Sequence, residues 1–464
     1  MENGATTVTV IGGGLAGCEC ALALADRGVR VKLFEMRPDV MTAAHKSGRL
    51  AELVCSNSLK AMRLDSAAGL LKAEIRRMGS RLLPLAEEAS VPAGGALAVD
   101  RLVFSDCVER EIAQSDLIEV VHGEVTEIPS DGPVVIAAGP LCSGALASYL
   151  EEVTGGERLS FFDAAAPIVD ATTLDFDHVF AQSRYDRGEG ADYLNCPMDK
   201  DTYDAFVEEL VGAERAILRD FERRDLFQAC QPVEEVARTG HDALRFGAFK
   251  PVGIVDPHTG RRPWAVVQLR AENRACSAYN LVGFQTNLTW AEQKRVFRMI
   301  PGLGEAEFFR YGVMHRNTFV DAPRVLDGTF ALSGNRRVRL AGQITGTEGY
   351  MEAVASGLLA AINTYADLRG IEAEPLPFTS ALGSLVAYAT SPDTVDYQPM
   401  HVNFGIVPPL EGVKRMPKRD RYRRYAERAL ADLEAWCGRN EQLVAVPAAQ
   451  ATPVCWADVD DGRS

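Results

Sequence analysis

The first regular pattern along the chain is a short apolar strand followed by an apolar helical stretch. Residues 8–11 read Val-Thr-Val-Ile, and a helix runs from Leu15 to about Arg27. Gly28 is a natural C-cap, and residues 29–34 form a second strand that ends at Glu35. This strand–helix–strand order predicts the start of a parallel α/β sheet.

The turn between the strand and the helix is rich in glycine and is typical of dinucleotide binding. Gly12 permits a sharp turn, Gly14 lets the backbone approach a pyrophosphate, and Gly17 lets the helix pack closely on the strand. The pyrophosphate then lies at the positive N-terminus of the helix. Glu35 follows at the distance, about 20 residues, from which an acid accepts hydrogen bonds from a ribose 2′-OH. The cofactor-binding residues predicted here are Gly12, Gly13, Gly14, Leu15, Ala16, Gly17 and Glu35.

Two later segments continue the same nucleotide fold. Residues 134–140 form a buried strand that ends in a Gly139 turn, a pattern that closes the first half of many FAD domains. Residues 338–343 form another strand with a glycine turn, which leads into a helix from Gly349 to about Leu368. The long gap between them implies an inserted domain with its own strands, such as 265–269. We therefore predict a Rossmann-like α/β FAD-binding domain in two parts, 1–166 and 328–464, interrupted by an inserted α+β domain at 167–327.

Composition narrows the class of protein. A chain of 464 residues with 47% apolar and 24% charged residues predicts a globular protein of two or three domains. No apolar run approaches the roughly 20 residues of a membrane helix, and no basic segment precedes an apolar start, so we expect no membrane association and a cytoplasmic location. The ten cysteines are scattered without a CxxC, and the seven histidines are dispersed. We expect neither a disulfide framework nor a metal site.

Charge raises a separate question about nucleic acid. The net charge of −15 argues against non-specific binding over the whole surface. Residues 413–428 nevertheless carry eight Lys or Arg against two acids, with Tyr422 and Tyr425 interleaved. This pattern is found in surfaces that hold phosphates and stack bases, and equally in an exposed helix with a charged face. Charge alone does not choose between them. The candidate RNA-binding residues are Lys414, Arg415, Lys418, Arg419, Arg421, Arg423 and Arg424.

Five longer segments carry a family resemblance over nearly the whole chain. They are ELVCSNSLK at 52–60, LVGFQTNL at 281–288, YGVMHRNTF at 311–319, AGQITGTEGY at 341–350 and QPMHVNFG at 398–405. With these segments the chain resembles the folate- and FAD-dependent tRNA (uracil-5-)-methyltransferase family, TrmFO, which is related to the larger GidA proteins. The resemblance implies the glutathione-reductase/GidA type of FAD fold. It also implies Gly139, Gly342, Gln343 and Tyr350 as further cofactor-binding candidates.

The resemblance implies formation of 5-methyluridine at uridine 54 in the T loop of tRNA. The carbon donor is 5,10-methylenetetrahydrofolate, the reductant is NADPH or NADH, and FAD carries the hydride. Methylating uracil C5 generally requires a thiolate to add at C6, a base to remove the C5 proton and a hydride donor. The family assigns the addition to Cys230 and the C5 proton to Cys55, and the reverse assignment stays open. Lys60, Arg245 and Lys250 are candidate cations that could lower a thiol pKa.

Four alternatives remain open. The same chemistry on a ribosomal RNA uridine would need only a different docking surface. A wobble-uridine role like that of GidA, an NADPH–flavin reductase and a flavin-loaded RNA-binding protein without turnover are the others. The pairing of Cys55 with Cys230 and the absence of a second complete glycine fingerprint favour the methyltransferase.

Overall fold

The computed structural model describes residues 6–42, 44–155, 159–186, 191–216, 231–395, 397–412 and 416–444. Cys230, Lys414 and Arg415 therefore lie outside the described residues. The strands are β1 Thr7–Ile11, β2 Arg30–Glu35, β3 Ser58–Ala61, β4 Ser90–Val91, β5 Ala96–Val99, β6 Ile118–His122, β7 Val134–Ile136, β8 Leu159–Ala164, β9 Ile168–Asp170, β10 Phe180–Ala181, β11 Tyr193–Met198, β12 Ala265–Ala271, β13 Ala278–Leu281, β14 Phe308–Arg310, β15 Met314–Phe319, β16 Ala331–Leu332 and β17 Asn335–Leu340.

The helices follow the same chain order. They are α1 Leu15–Asp26, α2 Ala67–Arg77, α3 Leu82–Glu88, α4 Arg101–Ala113, α5 Gly144–Thr154, α6 Lys200–Gly212, α7 Val233–Arg238, α8 Ala243–Phe246, α9 Trp290–Phe297, α10 Ala322–Val325, α11 Tyr350–Arg369, α12 Ala381–Thr390 and α13 Lys418–Arg439. None of these described helices has both the length and the apolar character needed to cross a membrane.

The first sheet has the order β16-β17-β7-β1-β2-β6. Strands β17, β7, β1, β2 and β6 run parallel to one another, and β16 forms an antiparallel hairpin with β17. Val8 and Val10 of β1 are fully buried, as expected for a central strand that is covered on both faces. The strands predicted at 134–136 and 338–340 are neighbours here, although about 200 residues separate them. The predicted Rossmann-like α/β fold is confirmed.

Helix α1 is buried over Leu15 to Leu24 because the sheet lies on one side and α11 on the other. The two helices approach so closely that a Cβ on Gly357 would lie 2.2 Å from the carbonyl oxygen of Ala16. This close packing explains why the buried part of α1 is apolar except for Glu19, whose carboxylate accepts the Arg81 and Leu82 N–H groups.

The second sheet is antiparallel, with the order β10-β11-β12-β13-β9-β14. Its core includes four phenylalanines in ring contact, Phe206, Phe249, Phe284 and Phe297. Strands β8 and β15 pair as a two-stranded antiparallel ribbon. Along the chain, β8 leads from the first core to the second, and β15 leads back to the first. The first core draws on residues 8–150 and 319–444, and the second on residues 166–306. We retain boundaries at 166/167 and 327/328 as a proposal.

Candidate active site and nucleotide cleft

A cleft of about 960 Å³, part of it open to solvent, runs past the carboxyl ends of β1, β2, β7 and β17. Ligands of open α/β sheets bind at this edge. The cofactor-binding candidates that line it are Gly12, Gly14, Leu15, Ala16, Glu35, Gly139, Gly342, Gln343 and Tyr350. Gly13 and Gly17 do not line it: the Gly13 N–H donates to Glu35, and Gly17 packs against the Gly12 backbone.

The glycines of the first turn differ in what surrounds them. Gly12 has φ +109°, and a Cβ there would lie 2.4 Å from the carbonyl oxygen of Ala137. A Cβ on Gly17 would lie 1.8 Å from the carbonyl oxygen of Gly12. A Cβ on Gly14, in contrast, would meet no heavy atom within 4 Å, and Gly14 lines the cleft. Two glycines thus fix the turn, and the third leaves the helix N-terminus open to a ligand.

Glu35 ties the glycine turn to the end of β2. Its carboxylate accepts hydrogen bonds from the Gly13 N–H at 2.8 Å and from the Arg37 N–H at 2.9 Å. The Arg37 guanidinium donates two more, at 2.8 and 3.1 Å. Burial by itself raises the pKa of Glu35, but the hydrogen bonds and charge of Arg37 hold that pKa below its usual value. A ribose hydroxyl would share acceptors that these four donors already use.

The turn after β17 carries a second buried carboxyl group. Gly342 has φ +81°, and the Gln343 side chain donates from Nε2 to Glu348 Oε1. Burial, and next the charge of Asp163, raise the pKa of Glu348 to about 8. Among the described residues Glu348 Oε2 has no hydrogen-bond partner. Gln343 therefore lines the cleft and also donates a hydrogen bond to Glu348.

Tyr350 connects the cleft to the Cys55 loop. Its ring lines the cleft, and its hydroxyl oxygen accepts hydrogen bonds from the Cys55 N–H at 2.9 Å and the Ser56 N–H at 3.3 Å. Burial is the main cause that raises the pKa of the Tyr350 phenol. On the other side of the loop, Arg310 Nη2 donates to the Val54 carbonyl oxygen at 2.7 Å. Val54 and Tyr350 both line the cleft, so these contacts hold the Cys55 loop at its edge.

The second sheet supplies further contacts to the same loop. Arg270 of β12 donates to Asn57 Oδ1 and to Ser56 Oγ, each at 2.8 Å. Arg101 of α4 forms an ion pair with Glu272 at 2.6 Å. These contacts place the Cys55 loop where the cleft meets the second sheet. No local sequence pattern indicated these partners.

The Cys55 thiol faces a buried carboxylate. Its Sγ lies 3.5 Å from Oδ2 of Asp163, which is 4% exposed, and 3.9 Å from the Ala164 carbonyl oxygen. Burial, followed by the charge and hydrogen bond of Asp163, raises the pKa of Cys55, and Arg310 opposes this only in part. Cys55 is therefore a protonated thiol near neutral pH.

Two of the three cations suggested from the sequence, Lys60 and Arg245, have other partners. Lys60 Nζ lies 3.2 Å from Glu352 Oε1, and the Arg245 guanidinium lies 3.5 Å from the Trp264 ring centroid. The cation that acts to lower the pKa of Cys55 is instead Arg310. Nothing in its sequence position, at the end of a short strand, pointed to that role.

Most other described cysteines are structural. Burial raises the pKa of Cys18, Cys20 and Cys196, so these thiols are unreactive packing residues. Cys142 lines the cleft and Cys276 is exposed. Among the described residues no group of three or more His, Cys, Asp or Glu side chains could hold a metal ion.

The basic segment forms the first turns of α13. Its five described candidates are exposed, and they are Lys418, Arg419, Arg421, Arg423 and Arg424. The two tyrosines pack inward instead, with ring centroids 4.5 Å (Tyr422) and 5.5 Å (Tyr425) from that of Phe404. Because Tyr425 is only 7% exposed, its ring is not accessible for stacking on a base, which was one of the two alternatives left open by the sequence. We call the five cations the basic face of α13.

The basic face lies beside the segment that follows Cys55. Arg419 Nε is 3.5 Å from Asp65 Oδ2, in the loop between β3 and α2. Phe404, under the two tyrosines, belongs to the 397–405 segment, in which Met400 pairs with Thr347 of the second glycine turn. The cations and the cleft are therefore connected through two short segments.

The parallel sheet, glycine turn and cleft define a Rossmann-like nucleotide-binding protein with an attached antiparallel sheet. The family described as glucose inhibited division protein A matches residues 7–372. A Geobacter sulfurreducens protein named methylenetetrahydrofolate--tRNA-(uracil-5-)-methyltransferase TrmFO is 56% identical over 92% of this chain and 98% of its own. A protein of the same name from Symbiobacterium thermophilum is 55% identical over 92% of this chain and 96% of its own.

A solved structure agrees on the fold. Aquifex aeolicus GidA, in its form II crystal, superposes with a TM-score of 0.68 at 17% identity, over 97% of this chain and 75% of that chain. At this identity the likeness concerns the fold. The chain belongs to the GidA family and, within it, to the TrmFO family of methylenetetrahydrofolate--tRNA-(uracil-5-)-methyltransferases.

Proposed function

We propose that the chain is a cytoplasmic, FAD-containing methyltransferase that forms 5-methyluridine at uridine 54 in the T loop of tRNA. Methylenetetrahydrofolate donates the carbon and NADPH, or NADH, the electrons. The observation that carries this proposal is the Tyr350 hydroxyl, which links a nucleotide cleft to a cysteine loop in one site. A reaction that uses both a redox cofactor and a thiol requires the cofactor cleft and the cysteine to lie side by side.

The cleft fits FAD by shape and by its glycines. The open N-terminus of α1 at Gly14 would receive the pyrophosphate, and Glu35 would face the adenosine ribose. Gly139, Gly342, Gln343 and Tyr350 would lie along the ribityl and ring portions. Bound there, FAD supplies the hydride that reduces the one-carbon unit to a methyl group. The glycine turn and the walls of the cleft orient the cofactor and exclude water.

The two cysteines divide the uracil chemistry. In this proposal Cys230 adds to C6, which makes C5 nucleophilic, and Cys55 removes the C5 proton once the carbon is attached. The raised pKa of Cys55 argues against Cys55 as the C6 nucleophile, because a thiol that holds its proton is a weak nucleophile, and as the base it must first give up that proton. The contacts of Arg310 and Tyr350 to the Cys55 loop fix the thiol at the edge of the cleft.

The proposal is tested by following label from methylenetetrahydrofolate into RNA. The purified yellow protein with NADPH is expected to label unmodified tRNA at uridine 54 and to leave ribosomal RNA unlabelled. A tRNA with uridine 54 replaced by cytidine is the matched control. Label only in ribosomal RNA would keep the chemistry and change the partner. Flavin reduction without label in either RNA would favour the reductase.

The basic face of α13 is expected to bind the tRNA backbone. Arg421→Glu, Arg423→Glu and Arg424→Glu together should weaken tRNA binding at least about 10-fold and flatten its salt dependence, since each lost phosphate contact removes about 0.7 to 0.9 from the log–log slope. Filter binding over a salt series measures both quantities.

Flavin content and thermal stability should not change in that variant, because these side chains are exposed and the Arg423–Glu427 pair is a surface pair. The matched control is Arg439→Glu, at the other end of the same helix, which should bind tRNA like the wild type. An unchanged salt slope in the triple variant would return α13 to the role of a solvated charged helix.

A further inference from the structure

Asp163 lies at a position where its carboxylate can act on the Cys55 thiol. It is on β8, one strand of the ribbon between the two sheets, and its Oδ2 is 3.5 Å from Cys55 Sγ. Its other oxygen, Oδ1, accepts the Ala164 N–H at 2.8 Å, which fixes the orientation of the carboxylate. The contact requires residues 108 positions apart in the chain to meet in the fold.

Four other charged or titratable groups face Cys55 from the surrounding elements. They are Arg101 of α4, Arg310 of β14, Glu348 of the second glycine turn and Tyr350 of α11. Arg101 is paired with Glu272, and Arg310 Nη2 donates to the Val54 carbonyl. The phenol oxygen of Tyr350 already accepts two backbone N–H groups. None of these four groups is a ready proton acceptor for the thiol at neutral pH.

The other carboxyl group whose charge acts on Cys55 is Glu348, and it holds its own proton. Burial and the nearby charge of Asp163 raise its pKa to about 8, so at neutral pH Glu348 is mostly the neutral acid. Two carboxyl groups in one buried site do not readily ionise together. The carboxyl group in direct contact with the thiol is that of Asp163, whose Oδ2 lies 3.5 Å from Cys55 Sγ.

We propose that Asp163 is the positioning residue for Cys55 and takes up the thiol proton when Cys55 acts as the base. This inference rests on the proposed function. The Cys55 S–H bond breaks and an O–H bond forms at Asp163 Oδ2, which leaves a thiolate. The thiolate then takes the C5 proton, the C5–H electron pair stays in the uracil ring, and Asp163 later releases its proton to water. The net result is that C5 loses one proton, water gains one proton by way of Asp163, and both Cys55 and Asp163 return to their starting forms.

The test uses the holoenzyme and tRNA with tritium at uridine C5. Asp163→Asn is nearly isosteric and keeps an acceptor for the Ala164 N–H, but it cannot take a proton. We expect tritium release to fall at least about 100-fold, in the range contributed by positioned acids and bases. Asp163→Glu should recover part of that rate. Asp177→Asn, an exposed carboxylate on the second-sheet side, is the control and should match the wild type.

A second readout separates a direct action of Asp163 on the thiol from a merely structural role. Alkylation of Cys55 by iodoacetamide, mapped by mass spectrometry across pH, reports the pKa of its thiol. In the wild type the midpoint should lie above that of an ordinary cysteine. In Asp163→Asn it should move to lower pH, because a carboxylate that opposes the thiolate has been removed. Tritium release and the midpoint thus both fall, whereas a structural defect would slow release without lowering the midpoint.

Three results would overturn the inference. One is wild-type tritium release from Asp163→Asn, and another is an alkylation midpoint that stays or rises in that variant. The third needs no variant and is a wild-type midpoint at or below that of an ordinary cysteine. If the wild type itself releases no tritium from tRNA, the proposed function fails together with the inference. If the wild type and the Asp163→Asn variant both release tritium at the same rate, the inference about Asp163 fails and the proposed function stands.

Discussion

Cys230→Ala is expected to keep its bound yellow flavin and to lose methyl transfer by at least about 1,000-fold, the scale on which enzymes lose rate with their nucleophile. Without a thiolate at C6, uracil C5 stays a poor nucleophile and cannot accept the carbon. The measurement is label transfer to tRNA, together with a denaturing gel that shows whether protein and 5-fluorouridine-substituted tRNA form a covalent adduct. The adduct should be present in the wild type and absent in the variant.

The control for this substitution is Cys276→Ala, which changes an exposed cysteine outside the cleft. It should transfer label and form the adduct at wild-type levels. Full activity in Cys230→Ala would remove Cys230 as the nucleophile. An adduct that survives in Cys230→Ala but disappears in Cys55→Ala would establish the reverse assignment of the two thiols.

The parts of the fold that could be predicted well are those specified by short local patterns. The first strand, the glycine turn and α1 are fixed by apolar spacing and by three glycines, and the helix expected at 349–368 is observed at Tyr350–Arg369. Residues 134–136 and 338–340 were assigned to the same nucleotide-binding sheet because each is a strand that ends in a glycine turn. The two strands are neighbours in that sheet. Each of these patterns, a strand followed by a glycine turn or a helix with apolar spacing, is contained within a short stretch of sequence.

The partners of Cys55 could not be predicted in this way. Asp163, Arg310 and Arg270 reach the Cys55 loop from β8, β14 and β12, which are far apart in the chain and carry no local motif. Only the three-dimensional packing of the ribbon and second sheet against the loop brings them together. Glu348 lay inside a recognised segment, but its burial and its raised pKa depend on that same packing.

The orientation of the tyrosines in α13 was left open by the charge pattern, although the sequence contained a signal for it. Positions 422, 425, 429, 433 and 436 repeat at three- and four-residue intervals and carry Tyr, Tyr, Ala, Leu and Trp. This spacing predicts one apolar helix face, and the face is indeed turned to the core at Tyr425, Leu433 and Trp436. The charge count drew attention to the cations and away from that periodicity.

The other large effect is expected at the glycine turn, where substitution at Gly17 should lower the stability of the protein and substitution at Gly14 should not. Gly17→Ala would place a Cβ 1.8 Å from the Gly12 carbonyl oxygen. Because that atom is backbone held between β1 and α1, relief requires moving the helix off the sheet. We expect a loss of at least about 3 kcal/mol in the free energy of unfolding and little flavin in the purified protein. Denaturant unfolding and the flavin-to-protein absorbance ratio measure the two effects.

Gly14→Ala is the matched substitution in the same turn. Gly14 has φ −78°, which any residue adopts, and its Cβ would meet no atom within 4 Å. The variant should therefore unfold like the wild type, yet bind FAD at least about 10-fold more weakly, because the added methyl group occupies the space in which the pyrophosphate approaches the helix N-terminus. Wild-type flavin affinity in Gly14→Ala would mean that the pyrophosphate lies elsewhere along the cleft. Wild-type stability in Gly17→Ala would contradict the close packing of α1 on the turn, on which the position of the whole cleft depends.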